Sequence, residues 1–285
     1  MSGPAEAIVG EGRQRPADRT GDRAPTAGER WIREELQTLR DAGFTPAALA
    51  RFLVRSQQRA NATRADRPDL ARREGAVLTA GAVAYVPVVV AGAVGVRPAA
   101  CWWLLTGLML DWHLGMLESE DGAPRNLGTA DVLTLGRAWV VPLVARRPTP
   151  ALVIGGWGSD VLDGLAARHG AGPTRAGRDL EGLVDAAFGT AVLVGARRTG
   201  GLGTGVVAAE VLRLGVGVGY AVFAYFGAAA PPDRAMLRAG RVTTVLRALG
   251  AVLATSGRRR PAEVLLTGAA AASVALFVRA GRVRR

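Results

Sequence analysis

Eight apolar stretches, each closed by arginine, proline or glycine, succeed one another between residues 76 and 280 and leave this chain few folds to choose from. They lie near 76–96, 99–117, 129–146, 149–168, 180–197, 202–227, 241–256 and 261–280. Several approach the roughly 20 apolar residues that a helix needs to cross a bilayer. The chain is 49% hydrophobic although 21% of its residues are charged. Charge spread evenly at that level would break every long run, so it must be gathered into the connections. The pattern predicts an all-α, polytopic membrane helix bundle. Pro87 and Pro142 fall inside spans, where neighbouring helices can cover the carbonyls that proline leaves free.

The segments outside the spans differ in kind. Residues 1–30 are rich in Gly, Pro, Ala, Arg and Asp without an apolar period and are expected to be a disordered basic tail. Residues 31–74 are charged and amphipathic, with Trp31, Ile32, Leu36, Leu39, Leu49, Phe52 and Leu53 as the apolar positions. They predict juxtamembrane helices at the membrane surface. The first two spans, 75–125, form a hairpin ahead of the six that follow in 126–285. Five tryptophans (Trp102, Trp103, Trp112, Trp139, Trp157) are expected to anchor span ends at the interface.

The formal net charge is +12, and every basic residue is arginine. These arginines sit at span ends and in the N-terminal tail, which fits membrane orientation and anionic lipid rather than nucleic acid. Their bias puts both termini in the cytoplasm, as in the inner membrane of a bacterium. A single cysteine, Cys101, excludes an intrachain disulfide, and two histidines cannot build a histidine-rich metal site. Asp111 and His113 are candidates for a polar contact inside the N-terminal hairpin.

The densest chemistry lies in D-V-L-D-G-L-A-A-R-H-G-A-G-P-T-R-A-G-R-D-L-E-G-L-V-D, from Asp160 to Asp185. Asp160 and Asp163 are three apart and Glu181 and Asp185 four apart, so each pair shares a helix face. Gly164 and Gly177 lie on or beside those faces, where a missing Cβ lets a ligand approach. Four converging acids repel one another unless a cation sits among them. Oxygen ligands of this kind favour Mg2+ or Mn2+. The bland reading of the same residues is charged caps on two membrane helices.

This run resembles the signature of the CDP-alcohol phosphatidyltransferases, D-x-x-D-G-x-x-A-R-x8-G-x3-D-x3-D. Asp160, Asp163, Gly164, Ala167, Arg168, Gly177 and Asp185 match in register; Glu181 stands where the family has its third Asp. Asn126 to Arg137 is similar to the family's N-x-L-T-x-x-R, with Thr134 and Arg137 in place. Gly240 to Thr244 resembles the G-K-x-x-T start of a later core helix, with Arg241 for lysine. The resemblance covers about residues 126–280.

It implies a six-helix catalytic core and transfer of a phosphatidyl group from a CDP-alcohol such as CDP-diacylglycerol to a polyol or polyol phosphate, releasing CMP. It further implies two divalent ions on Asp160, Asp163, Glu181 and Asp185, with Asp185 as the base. Thr134, Gly164, Ala167, Arg168 and Gly177 would meet the CDP part, and the family suggests a homodimer. Arg238, Arg241 and Arg247 could hold an acceptor phosphate at a cytoplasmic helix end, or be positive-inside charges only. Two other classes stay open. A cation- or proton-coupled transporter would spread acids along a pathway, whereas a catalytically impaired scaffold would keep the fold and lose turnover through Glu181.

Overall fold

A computed structural model describes residues 25–119, 122–169, 175–226 and 234–282. Those residues form α-helices, one 3-10 turn and a lone bridge between Glu118 and Pro124, with no strand among them. The ten helices are α1 (Ala27–Asp41), α2 (Pro46–Asp66), α3 (Pro68–Val90), α4 (Val96–His113), α5 (Thr129–Arg146), α6 (Pro150–His169), α7 (Arg175–Arg198), α8 (Thr204–Phe226), α9 (Arg234–Thr255) and α10 (Arg259–Arg282). Helices α3 to α10 coincide one for one with the eight apolar stretches.

Boundaries moved where capping chemistry was overlooked. The expected tail of 1–30 ends earlier, because Thr26 and Glu29 form a reciprocal capping box that starts α1 at Ala27. The remainder of that tail, 1–24, lies outside the described residues. Helix α3 begins at Pro68 rather than near 75, since proline is well suited to a first helical position. Likewise α9 begins at Arg234, which puts Gly240 to Thr244 two turns inside the helix instead of at its start. Gly200 (φ 79°) and Gly257 (φ 77°) close the α7–α8 and α9–α10 connections in the left-handed region that glycine occupies without strain.

The helices around the acidic run have a fixed mutual arrangement. Helix α5 ends at Arg147 and Pro148, and Thr149 accepts from the Leu152 amide to start α6, which turns back against α5. Helix α7 runs parallel to α5. Arg137 meets Asp185, and farther along both helices Arg198 Nη1 donates to the Ala145 carbonyl at 3.3 Å. A Cβ on Gly195 would overlap the Val144 carbonyl, so these backbones touch. Val141, Val144, Val153, Phe188, Val192 and Ala251 join α5, α6, α7 and α9 in one apolar cluster.

Two helices, α3 and residues Arg259–Ala280 of α10, are long and apolar enough to cross a membrane. Large apolar side chains also stand exposed on other helices: Leu104 at 74%, Ile154 at 56%, Leu212 at 63% and Val242 at 58%.

The tryptophans depart from the expected anchoring role. Trp102 Nε1 donates to the Ala138 carbonyl at 2.8 Å, Trp103 to Leu78 at 2.8 Å and Trp139 to Gly81 at 2.9 Å. Trp112 donates to Gln57 Oε1 at 2.9 Å. These four indoles tie helices together, Trp103 buried and the other three half-buried. The Trp102 bond has a specific cause. Pro142 lies inside α5 without an N–H, which frees the carbonyl four residues earlier, that of Ala138. The neighbouring helix supplies the missing donor, as lipid cannot.

Candidate active site between α5, α6 and α7

The acids sit on two antiparallel helices. Trp157 of α6 meets Phe188 of α7 edge to face, with ring centroids 6.0 Å apart. A Cβ on Gly156 would overlap the Phe188 ring, so the glycine sets this close approach. From that contact toward the α6–α7 connection, both helices advance equally at about 1.5 Å per residue. Asp160 on α6 is then level with Val184 and Asp185 on α7, and Asp163 is level with Glu181. By this spacing the α6 acids fall level with the α7 acids in two tiers about one helical turn apart.

The side chains of Asp160, Asp163, Gly164, Ala167 and Arg168, and the connection 170–174, lie outside the described residues. On α7, Glu181 and Gly177 are half-buried and Asp185 is exposed at 46% of its side chain. Glu181 and Asp185 occupy successive turns of one face, as their spacing requires. Among the described residues no three His, Cys, Asp or Glu side chains converge, the α6 acids standing outside that set. The described donors, two carboxylates one turn apart, have the hard oxygen chemistry that Mg2+ and Mn2+ accept.

Helix α5 closes the group. Thr134 and Arg137, one turn apart, are buried at 5% and 2% exposure. The Thr134 hydroxyl donates to the Ala130 carbonyl of its own helix at 3.2 Å. Arg137 Nη2 lies 3.1 Å from Asp185 Oδ1. A guanidinium this deep fixes the half-exposed carboxylate from the protein side. Sequence reasoning placed Arg137 in a motif but did not find this partner, which depends on the parallel register of α5 and α7. Beneath the pair, Leu135 and Ala138 pack on Leu180 and Val184.

Other candidates are placed differently. Arg238 and Arg241 are exposed on α9. Arg247 is not grouped with them: its Nε donates to Glu210 Oε1 of α8 at 3.1 Å, and Arg213 Nε donates to Glu210 Oε2 at 2.7 Å. Glu210 is fully buried, so Arg247 belongs to an Arg–Glu–Arg triad rather than to a phosphate site at a helix end. Glu210 and Arg213 were missed by sequence reasoning, although charges inside an apolar span are a signal in themselves. Asn126 donates to Asp69 of α3 at 2.8 Å and serves the α4–α5 connection. Asp111 pairs with Arg64 and Gln57 of α2, not with His113, whose Nδ1 meets the Met109 carbonyl.

No protein-family model, curated protein or solved structure matches the chain.

Proposed function

We propose that the chain is an integral membrane transferase of the CDP-alcohol phosphatidyltransferase type. It moves a phosphatidyl group from a CDP-alcohol such as CDP-diacylglycerol to a hydroxyl of a polyol or polyol phosphate and releases CMP. What supports this reading is the spacing of D-x-x-D on α6 and E-x3-D on α7, which helix rise from the Gly156–Phe188 contact brings level, together with Arg137 of α5 on the last acid. Exposed apolar side chains on α3, α4, α6, α8, α9 and α10 support a multi-pass position in a bacterial inner membrane.

In this reading Asp160, Asp163, Glu181 and Asp185 hold two divalent ions, Mg2+ or Mn2+. The ions, when bound, supply charge neutralisation on the diphosphate. Asp185 accepts the proton of the acceptor hydroxyl while its oxygen bonds to the lipid-side phosphorus. The bond from that phosphorus to the bridging oxygen breaks, and CMP leaves with the electron pair. Arg137 fixes the carboxylate, so the proton acceptor is positioned before substrate arrives. Thr134, Gly164, Ala167, Arg168 and Gly177 surround the CDP part. Arg238 and Arg241, exposed on α9, are free to approach a phosphate on the acceptor.

The test is CMP release by the purified full chain from CDP-diacylglycerol, with Mg2+ or Mn2+ and a panel of polyols and polyol phosphates. Release with at least one acceptor, lost in Asp185→Asn, supports the proposal. Folded protein that binds CDP-lipid and releases nothing with any acceptor would make it a scaffold. Ion flux in proteoliposomes without CDP-lipid would make it a transporter.

A further inference from the structure

A second pair of carboxylates meets away from the candidate active site, where α2 joins α3 and α4. Glu74 of α3 and Asp111 of α4 are buried at 3% and 6% exposure, and both engage one guanidinium, that of Arg64 on α2. Two acids thus face a single positive charge.

The two acids are supplied unequally. Asp111 Oδ2 accepts from Gln57 Nε2 at 2.6 Å, and Oδ1 is ion-paired with Arg64 Nη2. The Gln57 amide is oriented by Trp112, which donates to its Oε1. Glu74 has only Arg64 Nε, at 3.3 Å from Oε2. Its Oε1 is buried with no hydrogen-bond partner, and Asp111 Oδ1 likewise accepts no directed hydrogen bond.

Neighbouring charges are engaged elsewhere. Arg59 of α2 donates to the Gly115 carbonyl at 3.0 Å and stacks on Trp31. Arg67 donates to the Arg125 carbonyl at 2.6 Å. On α3 itself Asp69 accepts from Asn126, while Arg72 and Arg73 point to the exterior. His113 of α4 is held on the Met109 carbonyl, and Asp131 of α5 caps its own helix through the Gly128 amide. No second cation among the described residues compensates Glu74.

We propose that this junction is a proton-binding site: Glu74 carries a proton on Oε1 at neutral pH, beside the charge of Asp111. One proton then brings the group of Glu74, Asp111 and Arg64 to zero net charge. A buried carboxyl that shares its one counter-ion with a second acid takes up a proton rather than remain charged. No covalent bond changes, and the proton comes from and returns to solvent. The folded state binds a proton that an unfolded glutamate has already released at neutral pH. This contribution is therefore fully present below the ordinary glutamate range and is lost progressively as pH rises from there through the folded-state value of Glu74.

The experiment is infrared spectroscopy of the full chain in lipid nanodiscs, with thermal unfolding from neutral to alkaline pH. A protonated-carboxyl band at neutral pH is expected, absent in Glu74→Gln and in Asp111→Asn. In Asp111→Asn, Glu74 has Arg64 to itself and ionises. The parent's melting temperature should fall in alkali, and that of Glu74→Gln, which mimics the protonated side chain, should not. Absence of the band from the parent, its survival in Asp111→Asn, or the same alkaline fall in Glu74→Gln would overturn the proposal. If one variant fails to fold, the other still decides by its band.

Discussion

A single buried arginine carries much of the proposed site's organisation. Arg137 has a fully buried side chain, and Asp185 is half exposed, so the pair joins the protein interior to the space where substrate would bind. Arg137→Met should lower stability by about 1–3 kcal/mol and reduce CMP release far more than CDP-lipid binding, measured by thermal unfolding and turnover on one preparation. Equal loss of binding and turnover would assign Arg137 a structural role alone. The Trp102 bond to Ala138 gives a second, independent prediction. Trp102→Phe should cost about 1 kcal/mol in the parent chain. It should cost less in a Pro142→Ala background, where the restored alanine amide serves the same carbonyl. A double-mutant cycle with no coupling would show that the indole bond does not answer the proline. The acids of this site were legible as residues, because their spacing alone puts them on shared faces. Their partners were not, since Arg137 and Asp185 meet only through a helix register that local sequence does not encode.

At the scale of elements, helix existence was legible throughout: apolar runs bounded by arginine and proline marked α3 to α10 before any geometry was known. Helix contacts were less so, because a glycine in a span reads the same whether it faces lipid or another helix. Gly156 shows the difference, since any side chain there collides with Phe188. Gly156→Val should separate α6 from α7, cost about 1–3 kcal/mol and abolish CMP release, whereas Gly155→Val, at a position open to its surroundings, should do neither. The triad of Glu210, Arg213 and Arg247 ties α8 to α9 in the same way. Glu210→Ala leaves two guanidinium groups without their shared partner and should destabilise by on the order of 3 kcal/mol. Replacing all three with Leu and Met should restore most of that loss, read from melting temperatures in detergent. Failure of the triple variant to recover would show that the triad does more than join helices.

At the scale of the whole molecule, the proposed multi-pass arrangement of α3 to α10 predicts which connections share a side. In a Cys101→Ser background, Ala91→Cys and Ser256→Cys should react with a membrane-impermeant maleimide on intact cells, and Ser119→Cys only after lysis. Labelling of Ser119→Cys from outside would invert the proposed orientation and place the acids away from cytoplasmic CDP-lipid. The apolar cluster that runs from Leu70 and Leu110 through Leu127 and Leu135 to Leu180 and Val184 crosses from the N-terminal helices into the region that resembles the family. Trp102, Trp139 and Tyr85 reinforce that crossing, with the Tyr85 hydroxyl donating to the Trp139 carbonyl at 2.6 Å. The two parts are thus wedged into one cooperative body. A chain begun at Asn126 would keep every acid of the signature and still strip α5 of the cover that Tyr85 and Trp102 provide, so truncation at that point should lower the melting temperature of what remains.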